Sequence, residues 1–472
     1  MVESRDPSRQ CHRSHWLRGV LVLGLAGALF LAGCACPRSG GVQVVDEPVL
    51  TAELIRLNLE SFDYIWETIR DRHWDPELGG LDWEAVRTEL RPRVAEATTM
   101  FEARLAMDDM IQRLDQTHFA IFPAEVYDDL GAEDETADTT EGEADTTNDK
   151  TDGTPGLEVR VVDGEALVVA LDPGSAAAEL GVEPGWRIVR VKEQEIAPRL
   201  EGLATSLAGK TYLGLTQARL VSQLLKGGLG DSVSVGFLDG DDREVDLLIP
   251  LQPLRGKKAD FGNLPSQHVW VDTRRLEGDI GYLAFNYFFD PIQIMGACNR
   301  AMAEFMDCRG VIVDLRGNGG GIGAIAMGIA GWFIAEKGHR LGTMTTRDSE
   351  LHFSVNSRPQ TFSGPLAVLV DDLSASTSEI FAGGLQDLQR ARIFGTVTAG
   401  AALPSMVEKL PNGDGFQFAV ANYVSEGGRT LEGAGIVPDE VVIPTRQALG
   451  DLGDPILTAA VTWIETGQPL NE

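Results

Sequence analysis

Three serines lie in a segment whose pattern predicts a buried strand, then a turn of small residues, then the start of a helix. The segment covers residues 367–380 (AVLVDDLSASTSEI), and the serines are Ser374, Ser376 and Ser378. At such a turn a serine hydroxyl is exposed beside the unpaired amides of a helix N-terminus, which suits a nucleophile that faces a developing oxyanion. Any one of them taken alone is more often a helix cap. The pattern therefore predicts nucleophilic chemistry and leaves the choice of serine open.

A run of glycines follows a second apolar segment. Residues 311–321 read VIVDLRGNGGG, a predicted buried strand that leads into Gly317, Gly319, Gly320 and Gly321. A backbone without side chains can turn sharply and present its amides, as an oxyanion site requires. A phosphate loop or a plain turn would use the same residues, but no Gly-Lys-Ser or Gly-Lys-Thr follows, so we do not expect a nucleotide P-loop.

The elements before these motifs are helical. Residues 51–125 form a predicted helical domain, because apolar side chains recur at helical spacing from Leu54 to Ile69 and again from Phe101 to Leu114. Residues 126–155 form a predicted disordered linker. Within it, residues 131–154 are dense in Asp, Glu and Thr and have no large apolar side chain, so they cannot offset the entropy of ordering.

The rest of the chain predicts a β-rich domain followed by an α/β core. Residues 156–253 alternate like strands around the turn at Asp163 and Gly164, and continue with a short helix that ends at Gly181. Residues 254–450 alternate short apolar strands with helices, which predicts a layered α/β sheet. Residues 451–472 form a predicted C-terminal helix and tail.

The N-terminus predicts export and attachment to a membrane. Residues 1–33 contain several arginines followed by a short apolar stretch, the pattern of a signal peptide. The end of this stretch, Leu31-Ala32-Gly33-Cys34, resembles the lipobox of bacterial lipoproteins, in which the cysteine is lipidated. We therefore predict a lipid anchor on Cys34, a tether over residues 34–50, and a protein of the bacterial cell envelope that faces the periplasm or the exterior. A plain signal peptide or a signal anchor is the alternative.

Composition excludes several other classes of protein. Asp and Glu number 71 against 40 Lys and Arg, a formal net charge of −31, which argues against a nucleic-acid partner. Cys298 and Cys308 flank a predicted helix that would hold them too far apart to form a disulfide, so we expect two buried thiols. No His or Cys cluster has the spacing of metal ligands, so neither a metal nor another cofactor is expected.

The order of turn, helix and strand after residue 156 resembles the PDZ fold. The resemblance places the carboxylate-binding loop on Gly156, Leu157, Glu158 and Val159, and the groove helix on about residues 216–225. A PDZ groove accepts an extended peptide as an added strand and captures its terminal carboxylate with backbone amides. The alternative is a domain of this fold that only packs against the core.

The motifs of the core, taken together, resemble the C-terminal processing (tail-specific) serine proteases. The strings that carry the resemblance are GYLAF, VIVDLRGNGGG, SASTSEIFAGGLQDLQRARIFG, LPNGDGFQFAVANY and EGAGIVPD, in that order. The resemblance implies an α/β core with a layered sheet of the ClpP/crotonase kind, an N-terminal helical domain and a PDZ-like β-rich domain. It places the nucleophile on Ser376 and implies unfolded or C-terminal protein and peptide substrates.

One position departs from the best-known branch of that family, which uses a Ser-Lys dyad. Residues 398–402 read TAGAA, so an alanine occupies the place of the lysine. This string resembles the tricorn-core and retinoid-binding-protein branch, in which a histidine is the base and a glutamate orients it. That resemblance places the base on His118, its hydroxyl neighbour on Thr117, and the glutamate on Glu432.

A histidine titrates near neutral pH, so it can take the serine proton and return it to the leaving amine while a carboxylate fixes its tautomer. Asp115, one helical turn before His118, is a competing orienting residue. The oxyanion donors would be the backbone amides of Thr377, Gly319 and Gly320.

We therefore predict a serine endopeptidase of the C-terminal processing type that acts on exported proteins. An inactive, peptide-binding scaffold lipoprotein of the same fold is the first alternative, because the dyad lysine is missing. A lipid or retinoid carrier is the second, and it would need a large apolar cavity.

Overall fold

The computed structural model describes residues 49–124, 152–261 and 264–467. The predicted signal peptide, the proposed lipidation site Cys34 and most of the acidic linker lie outside the described residues. Within the described ranges, no helix has both the length and the apolar character needed to cross a membrane.

The first part is a helical layer that packs on one edge of the core. Its apolar side chains, including Phe62, Trp66 and Met107, form one buried cluster with Phe416 and Phe418 of the core. The helices are α1 (Ala52–Arg72), α2 (Trp83–Glu96) and α3 (Met100–Gln112), and a 3-10 turn covers Leu78–Gly80.

The chain enters the core directly after this layer. Strand β1 (Ala120–Phe122) pairs antiparallel with β21 (Gly415–Ala419), which also pairs with β20 (Ser405–Lys409). Arg104 of α3 and the buried Asp414 form a bidentate ion pair beside β21, with N–O distances of 2.7 and 3.0 Å. The loop over residues 113–119 is therefore held between the helical layer and the core.

The β-rich part is one twisted antiparallel sheet with helices packed on it. The strands are β3 (Leu157–Val162), β4 (Glu165–Leu171), β5 (Arg187–Val191), β6 (Gln194–Glu195), β8 (Ser232–Leu238) and β9 (Glu244–Pro250). Their order in the sheet is β3-β4-β5-β8-β9, with β6 paired to β5, so β3 is an edge strand. The helices are α4 (Ala176–Glu179), α5 (Ala197–Ser206) and α6 (Leu213–Leu225). Three short strands, β2 (Asp152–Thr154), β7 (Gly227–Gly228) and β10 (Gln252–Pro253), form a small sheet beside them.

The core is built on a six-stranded sheet in which only the first pair of strands is antiparallel. The strand order is β13 (Val271–Leu276), β14 (Ile280–Phe285), β15 (Gly310–Asp314), β18 (Leu366–Val370), β19 (Arg392–Gly395) and β23 (Glu440–Val441). A hairpin, β11 (Lys257–Phe261) and β12 (Leu264–Val269), precedes it. A second antiparallel sheet contains β17 (Glu350–Ser354), β16 (Arg340–Thr346) and β22 (Ala421–Ser425).

Helices cover both faces of the central sheet. One face packs on α7 (Pro291–Phe305), α8 (Gly323–Ala330) and α9 (Thr377–Asp387), and these contact the second sheet in a single large core. The other face packs on α11 (Pro455–Thr466), which follows α10 (Arg446–Leu452). The fold prediction, a layered α/β core with a helical part and a β-rich part, is confirmed.

This sheet explains where a site can form. The parallel strands β15, β18 and β19 are neighbours, and each ends in a loop at the same edge of the sheet. These loops are the glycine run after β15, the serine turn after β18, and residues 396–402 after β19. Ligands of open α/β sheets bind outside the carboxyl ends of the strands. We therefore expect a functional site at this edge of the sheet.

Candidate active site

Ser376 lies at the N-cap of helix α9 in a strained backbone conformation, with φ 56° and ψ −119°. Its side chain is fully buried, and Oγ has no hydrogen-bond partner among the residues that the structure describes. A residue with a Cβ atom rarely adopts a left-handed φ, and such strain persists only where the surrounding contacts fix it. The backbone therefore holds the Ser376 hydroxyl at the turn, and this hydroxyl forms none of the described hydrogen bonds that support the fold.

The other two serines of the turn have structural roles. Ser374 Oγ donates to Leu315 O at 2.7 Å and accepts from Asp371 N at 3.0 Å. Ser378 Oγ donates to Asn318 O at 2.9 Å. Both hydroxyls thus tie the serine turn to the loop after β15, which leaves Ser376 as the serine whose hydroxyl is not used in this way.

The glycine run lies against Ser376. A Cβ atom on Gly320 would be 2.7 Å from Ser376 Cβ, so only glycine allows this approach. Gly320 N donates to Asn318 Oδ1 at 2.9 Å and is therefore engaged within its own loop. The amides of Gly319 and Thr377 donate to no described residue. Of the three amides predicted as oxyanion donors, these two are the ones available to a ligand.

His118 is joined to Glu432 through Thr117 rather than directly. Thr117 Oγ1 lies 2.8 Å from His118 Nδ1 and donates to Glu432 Oε2 at 2.9 Å, and Thr117 N donates to Glu432 Oε1 at 2.8 Å. Because the hydroxyl hydrogen of Thr117 points to the carboxylate, its oxygen accepts from the Nδ1–H of the imidazole. This tautomer leaves a lone pair on Nε2, the state a general base requires.

Glu432 is a half-buried carboxylate surrounded by donors. Burial raises the pKa of Glu432, while hydrogen bonds from the Thr117 amide and hydroxyl and from Ala402 N, at 3.1 Å, lower it. Asp115, the competing orienting residue, is mostly exposed and forms an ion pair with Lys210 instead. The structure thus brings Glu432, and not Asp115, to Thr117.

One short segment, residues 400–402, connects the serine turn to Glu432. Ser376 N donates to Ala401 O at 2.8 Å, and Ala402 N donates to Glu432 Oε2. Gly433 N, directly after Glu432, donates to Gly400 O at 2.8 Å, which is a second hydrogen bond between this segment and the chain at Glu432. Ser376 and the Thr117–Glu432 pair are therefore fixed to neighbouring atoms of the same loop.

Glu379 holds this loop and the serine turn together, and it was missed in the sequence analysis. Its Oε2 accepts from Ser376 N and Ala401 N, both at 3.0 Å. Its Oε1 accepts from Thr398 Oγ1 at 2.6 Å and from Gly400 N at 2.8 Å. The spacing Ser-x-x-Glu is that of a capping box, which is the signal that could have identified it.

The β-rich part covers the serine turn. Leu215 of α6 and the neighbouring Tyr212 pack on three buried alanines around the turn, Ala375, Ala399 and Ala401. The backbones also approach closely, because a Cβ atom on Gly400 would lie 2.4 Å from Thr211 Oγ1. Residues 210–215, named here the cover segment, therefore pack against Ala375, the neighbour of Ser376, and against the loop whose Ala401 O accepts from Ser376 N.

The predicted carboxylate-binding loop begins at a position that requires glycine. Gly156 has φ 75°, and a Cβ atom there would lie 2.4 Å from Ser175 Cβ. Leu157 begins β3, the edge strand, and helix α6 packs beside it. The groove helix predicted over residues 216–225 corresponds to α6. This helix begins three residues before the predicted start, and its first turn forms part of the cover segment.

A buried ion pair joins strand β3 to the serine turn. Arg160 Nε donates to Asp371 Oδ2 at 2.6 Å, and both side chains are buried. The other oxygen of Asp371 accepts from Gly317 N at 2.9 Å and from Leu373 N at 3.0 Å. Nothing in the sequence pattern pointed to this pair, because its partners are 211 positions apart.

The described residues do not include a cluster of three or more His, Cys, Asp or Glu side chains placed to hold a metal ion. Cys298 and Cys308 are both buried and free.

Two family models match parts of the chain. The model of peptidase family S41 matches residues 279–442, and the model of the tricorn protease C1 domain matches residues 58–112. Residues 279–442 of the chain are therefore similar to peptidase family S41. The first match contains Ser376 and Glu432, and the second covers most of the helical layer that leads to His118.

Curated relatives of this chain are C-terminal processing proteases. The carboxy-terminal-processing protease of Bartonella bacilliformis is 27% identical over 343 residues, 71% of this chain and 68% of the relative. The carboxyl-terminal-processing protease of Synechocystis sp. is 26% identical over 385 residues, 80% of this chain and 79% of the relative. The chain is thus a serine-type peptidase whose relatives process the C-termini of proteins.

Solved structures share the fold at lower identity. A photosystem II D1 C-terminal processing protease superposes with a TM-score of 0.55 at 20% identity, covering 88% of this chain and 98% of that one. Mature CPAF complexed with lactacystin gives a TM-score of 0.58 at 12% identity, covering 88% of this chain and all of that one. At these identities the superpositions establish the fold and not the site.

Proposed function

We propose that this serine-type peptidase is an endopeptidase that cleaves exported proteins with a Ser376–His118 pair, oriented by Glu432 through Thr117. The observation that carries the proposal is the hydrogen-bonded series from Glu432 to Thr117 to His118 Nδ1, anchored on the same loop as Ser376. Alanine at position 401 supports a histidine base, because a dyad lysine at that position is absent from the sequence.

The reaction would follow the usual course of acyl transfer. Ser376 Oγ attacks the scissile carbonyl while His118 Nε2 takes its proton, and Thr117 and Glu432 stabilise the imidazolium that forms. The negative charge on the carbonyl oxygen would be met by the amides of Gly319 and Thr377. His118 then returns the proton to the leaving amine, and water hydrolyses the ester on Ser376 by the same steps in reverse.

Access to Ser376 requires a movement of the cover segment. Ser376 is fully buried, and Leu215 occupies the apolar space beside it. A peptide that reached the hydroxyl would have to displace these side chains. We infer that the described state is a closed state of the enzyme, and that substrate binding opens it.

We propose that the β-rich part binds the substrate tail. An exposed peptide would pair with the free edge of β3, next to helix α6, and its carboxylate would meet the amides of the loop from Gly156 to Val159. Support comes from the left-handed Gly156 and from the position of β3 at the sheet edge. A bound tail would raise the local concentration of the scissile segment at the serine.

We further propose that the protein is held in the bacterial envelope by a lipid on Cys34. The support is the string Leu31-Ala32-Gly33-Cys34 after a basic and apolar leader. Labelling with a radioactive fatty acid in cells should mark the wild-type protein and leave the Cys34→Ala variant unmarked. Equal labelling of both would contradict the anchor.

The test of the catalytic proposal is cleavage of an unstructured protein with an apolar C-terminus by the full chain in mild detergent. We expect Ser376→Ala and His118→Ala each to lower kcat by about ten-thousand-fold or more. Matched controls are Ser363→Ala and His339→Ala, since Ser363 is exposed and the His339 side chain is 38% exposed, away from the site. Full activity of either catalytic variant would refute the proposal. Binding of the tail without any cleavage by the wild type would favour the scaffold alternative.

A further inference from the structure

His73 is a buried histidine that contacts the chain on both sides of Thr117 and His118. Its side chain is fully buried, and Nε2 lies 3.0 Å from Gln116 Oε1. Its ring also stacks on Phe119, with centroids 5.8 Å apart and planes 21° apart. One side chain therefore touches the residue immediately before the pair and the residue immediately after it.

The direction of the hydrogen bond to Gln116 follows from the acceptor. An amide oxygen can only accept, so His73 Nε2 carries a proton and donates to Gln116 Oε1. The other ring nitrogen, Nδ1, lies 3.0 Å from Asp75 N and 2.9 Å from Asp75 O. His73 thus acts as a donor toward the loop that carries His118.

His73 is itself fixed by both the helical layer and the core. Its amide caps helix α1 by donating to Ile69 O at 3.1 Å, and Trp74 stacks on its ring. Arg347, which follows β16, donates to His73 O at 3.1 Å and to Arg70 O at 2.9 Å. A ring held in this way can serve as a rigid support for a neighbouring loop.

The loop needs such a support because its backbone is strained. Asp115 and His118 both have a left-handed φ, at 53° and 63°. Residues with a Cβ atom keep this conformation only where surrounding contacts impose it. The contact from His73 to Gln116 and those from Glu432 to Thr117 both act between these two positions.

We propose that His73 is a positioning residue for the general base: it holds Gln116 and Phe119 so that the imidazole of His118 keeps the orientation set by Thr117. This inference rests on the proposed function, since it requires His118 to be the base. Loss of the support would displace the imidazole without touching the tail-binding groove. Turnover should therefore fall while KM stays unchanged.

The test uses the full chain in mild detergent with the substrate named above. His73→Phe keeps a ring between Trp74 and Phe119 but removes the donor, and Gln116→Met removes the acceptor. Each should lower kcat by about 10- to 100-fold with KM within about 3-fold of wild type, as expected for a small displacement of a catalytic group. Because both changes break one contact, the double variant should be no slower than the slower single variant.

Two further variants separate positioning from stability. Gln116→Glu keeps an acceptor oxygen at the same place and should retain the wild-type kcat, whereas a purely structural role for the ring would not distinguish Glu from Met. His339→Phe is the surface control, because the His339 side chain is 38% exposed. Thermal denaturation of every variant shows whether it is folded, and Gln116→Met carries the test if His73→Phe does not fold.

Several outcomes would overturn the inference. These are a wild-type kcat in folded His73→Phe and in Gln116→Met, equal losses in Gln116→Glu and Gln116→Met, or effects that multiply in the double variant. Failure of the proposed function looks different, because His118→Ala would then keep its activity. If His118→Ala is inactive and His73→Phe is not impaired, only the role of His73 is wrong.

Discussion

Replacing Glu379 should loosen the serine turn in proportion to the number of donors left without an acceptor. In Glu379→Gln, the new amide group would face Thr398 and Gly400. The Thr398 hydroxyl can turn to accept from it, so only the Gly400 amide is left unpaired. In Glu379→Met, the Thr398 hydroxyl and the Gly400 and Ala401 amides all lose their acceptor, while Ser376 N keeps Ala401 O at 2.8 Å.

The magnitude follows from the cost of buried unpaired donors. Each costs about 1–3 kcal/mol, so the free energy of unfolding should fall by about 1–3 kcal/mol in the Gln variant and about 3–9 kcal/mol in the Met variant. The loss of the hydrogen bonds to Glu379 also releases the strained backbone of Ser376. We expect kcat to fall by about 10-fold and about 100-fold respectively, with a smaller change in KM.

The measurements are urea denaturation and steady-state kinetics on the same preparations. Glu336→Gln is the matched control, because the Glu336 side chain is 86% exposed. The reasoning would be refuted by a folded Glu379→Met variant with the turnover of the wild type, or by a Gln variant that is more impaired than the Met variant.

The ionisation of Glu379 adds a pH dependence with a defined sign. Burial raises the pKa of Glu379 to about 7 from an ordinary 4.5, against the hydrogen bonds from Thr398, Ala401, Gly400 and Ser376. The folded protein therefore binds this proton at a higher pH than the unfolded chain does. The contribution of Glu379 to the free energy of unfolding should fall as the pH rises from 4.5 to about 7. In the Glu379→Gln variant, the free energy of unfolding measured by urea denaturation should not show this decrease with pH.

Two other contacts give predictions of their own. Thr117→Val removes the hydroxyl that joins His118 to Glu432 and should lower kcat by about 100-fold, whereas Thr117→Ser keeps the hydroxyl and should keep most of the activity. Steady-state kinetics measures both variants. Equal kcat values for the two variants would show that the hydroxyl does not contribute to turnover. Arg160→Met leaves Asp371 as an unpaired buried charge and should cost about 3–5 kcal/mol in urea denaturation. Adding Asp371→Asn should restore part of that loss, and a further loss would show that the pair is not coupled.

The sequence was sufficient for the fold because the core strands are continuous apolar runs. The runs in residues 280–285, 311–314 and 366–370 each became a central strand, and the turn before Ser376 became the start of α9. Helix α7 begins at Pro291, after the N-cap Asp290, and both residues are typical of a helix start. Patterns of this kind are local and can be read from neighbouring residues.

The parts of the site that escaped prediction depend on partners far apart in the chain. Thr117 and Glu432 are separated by 315 positions, so the sequence could not show that the hydroxyl stands between the base and the carboxylate. Glu379 showed a capping pattern, but three of its four donors come from residues 398–401. The packing of the cover segment on the serine turn likewise depends on how the β-rich part docks.

The packing around Ala401 constrains how this enzyme could exchange one base for another. Ala401 is 3% exposed and lies in the same apolar cluster as Leu215. A lysine introduced there would bring a long, charged side chain into a space that is already filled, so Ala401→Lys alone would damage the closed state. An evolutionary path between a lysine base and a histidine base must therefore change position 215 as well. We expect these two positions to vary together in natural sequences, with a smaller side chain at 215 wherever a lysine stands at 401.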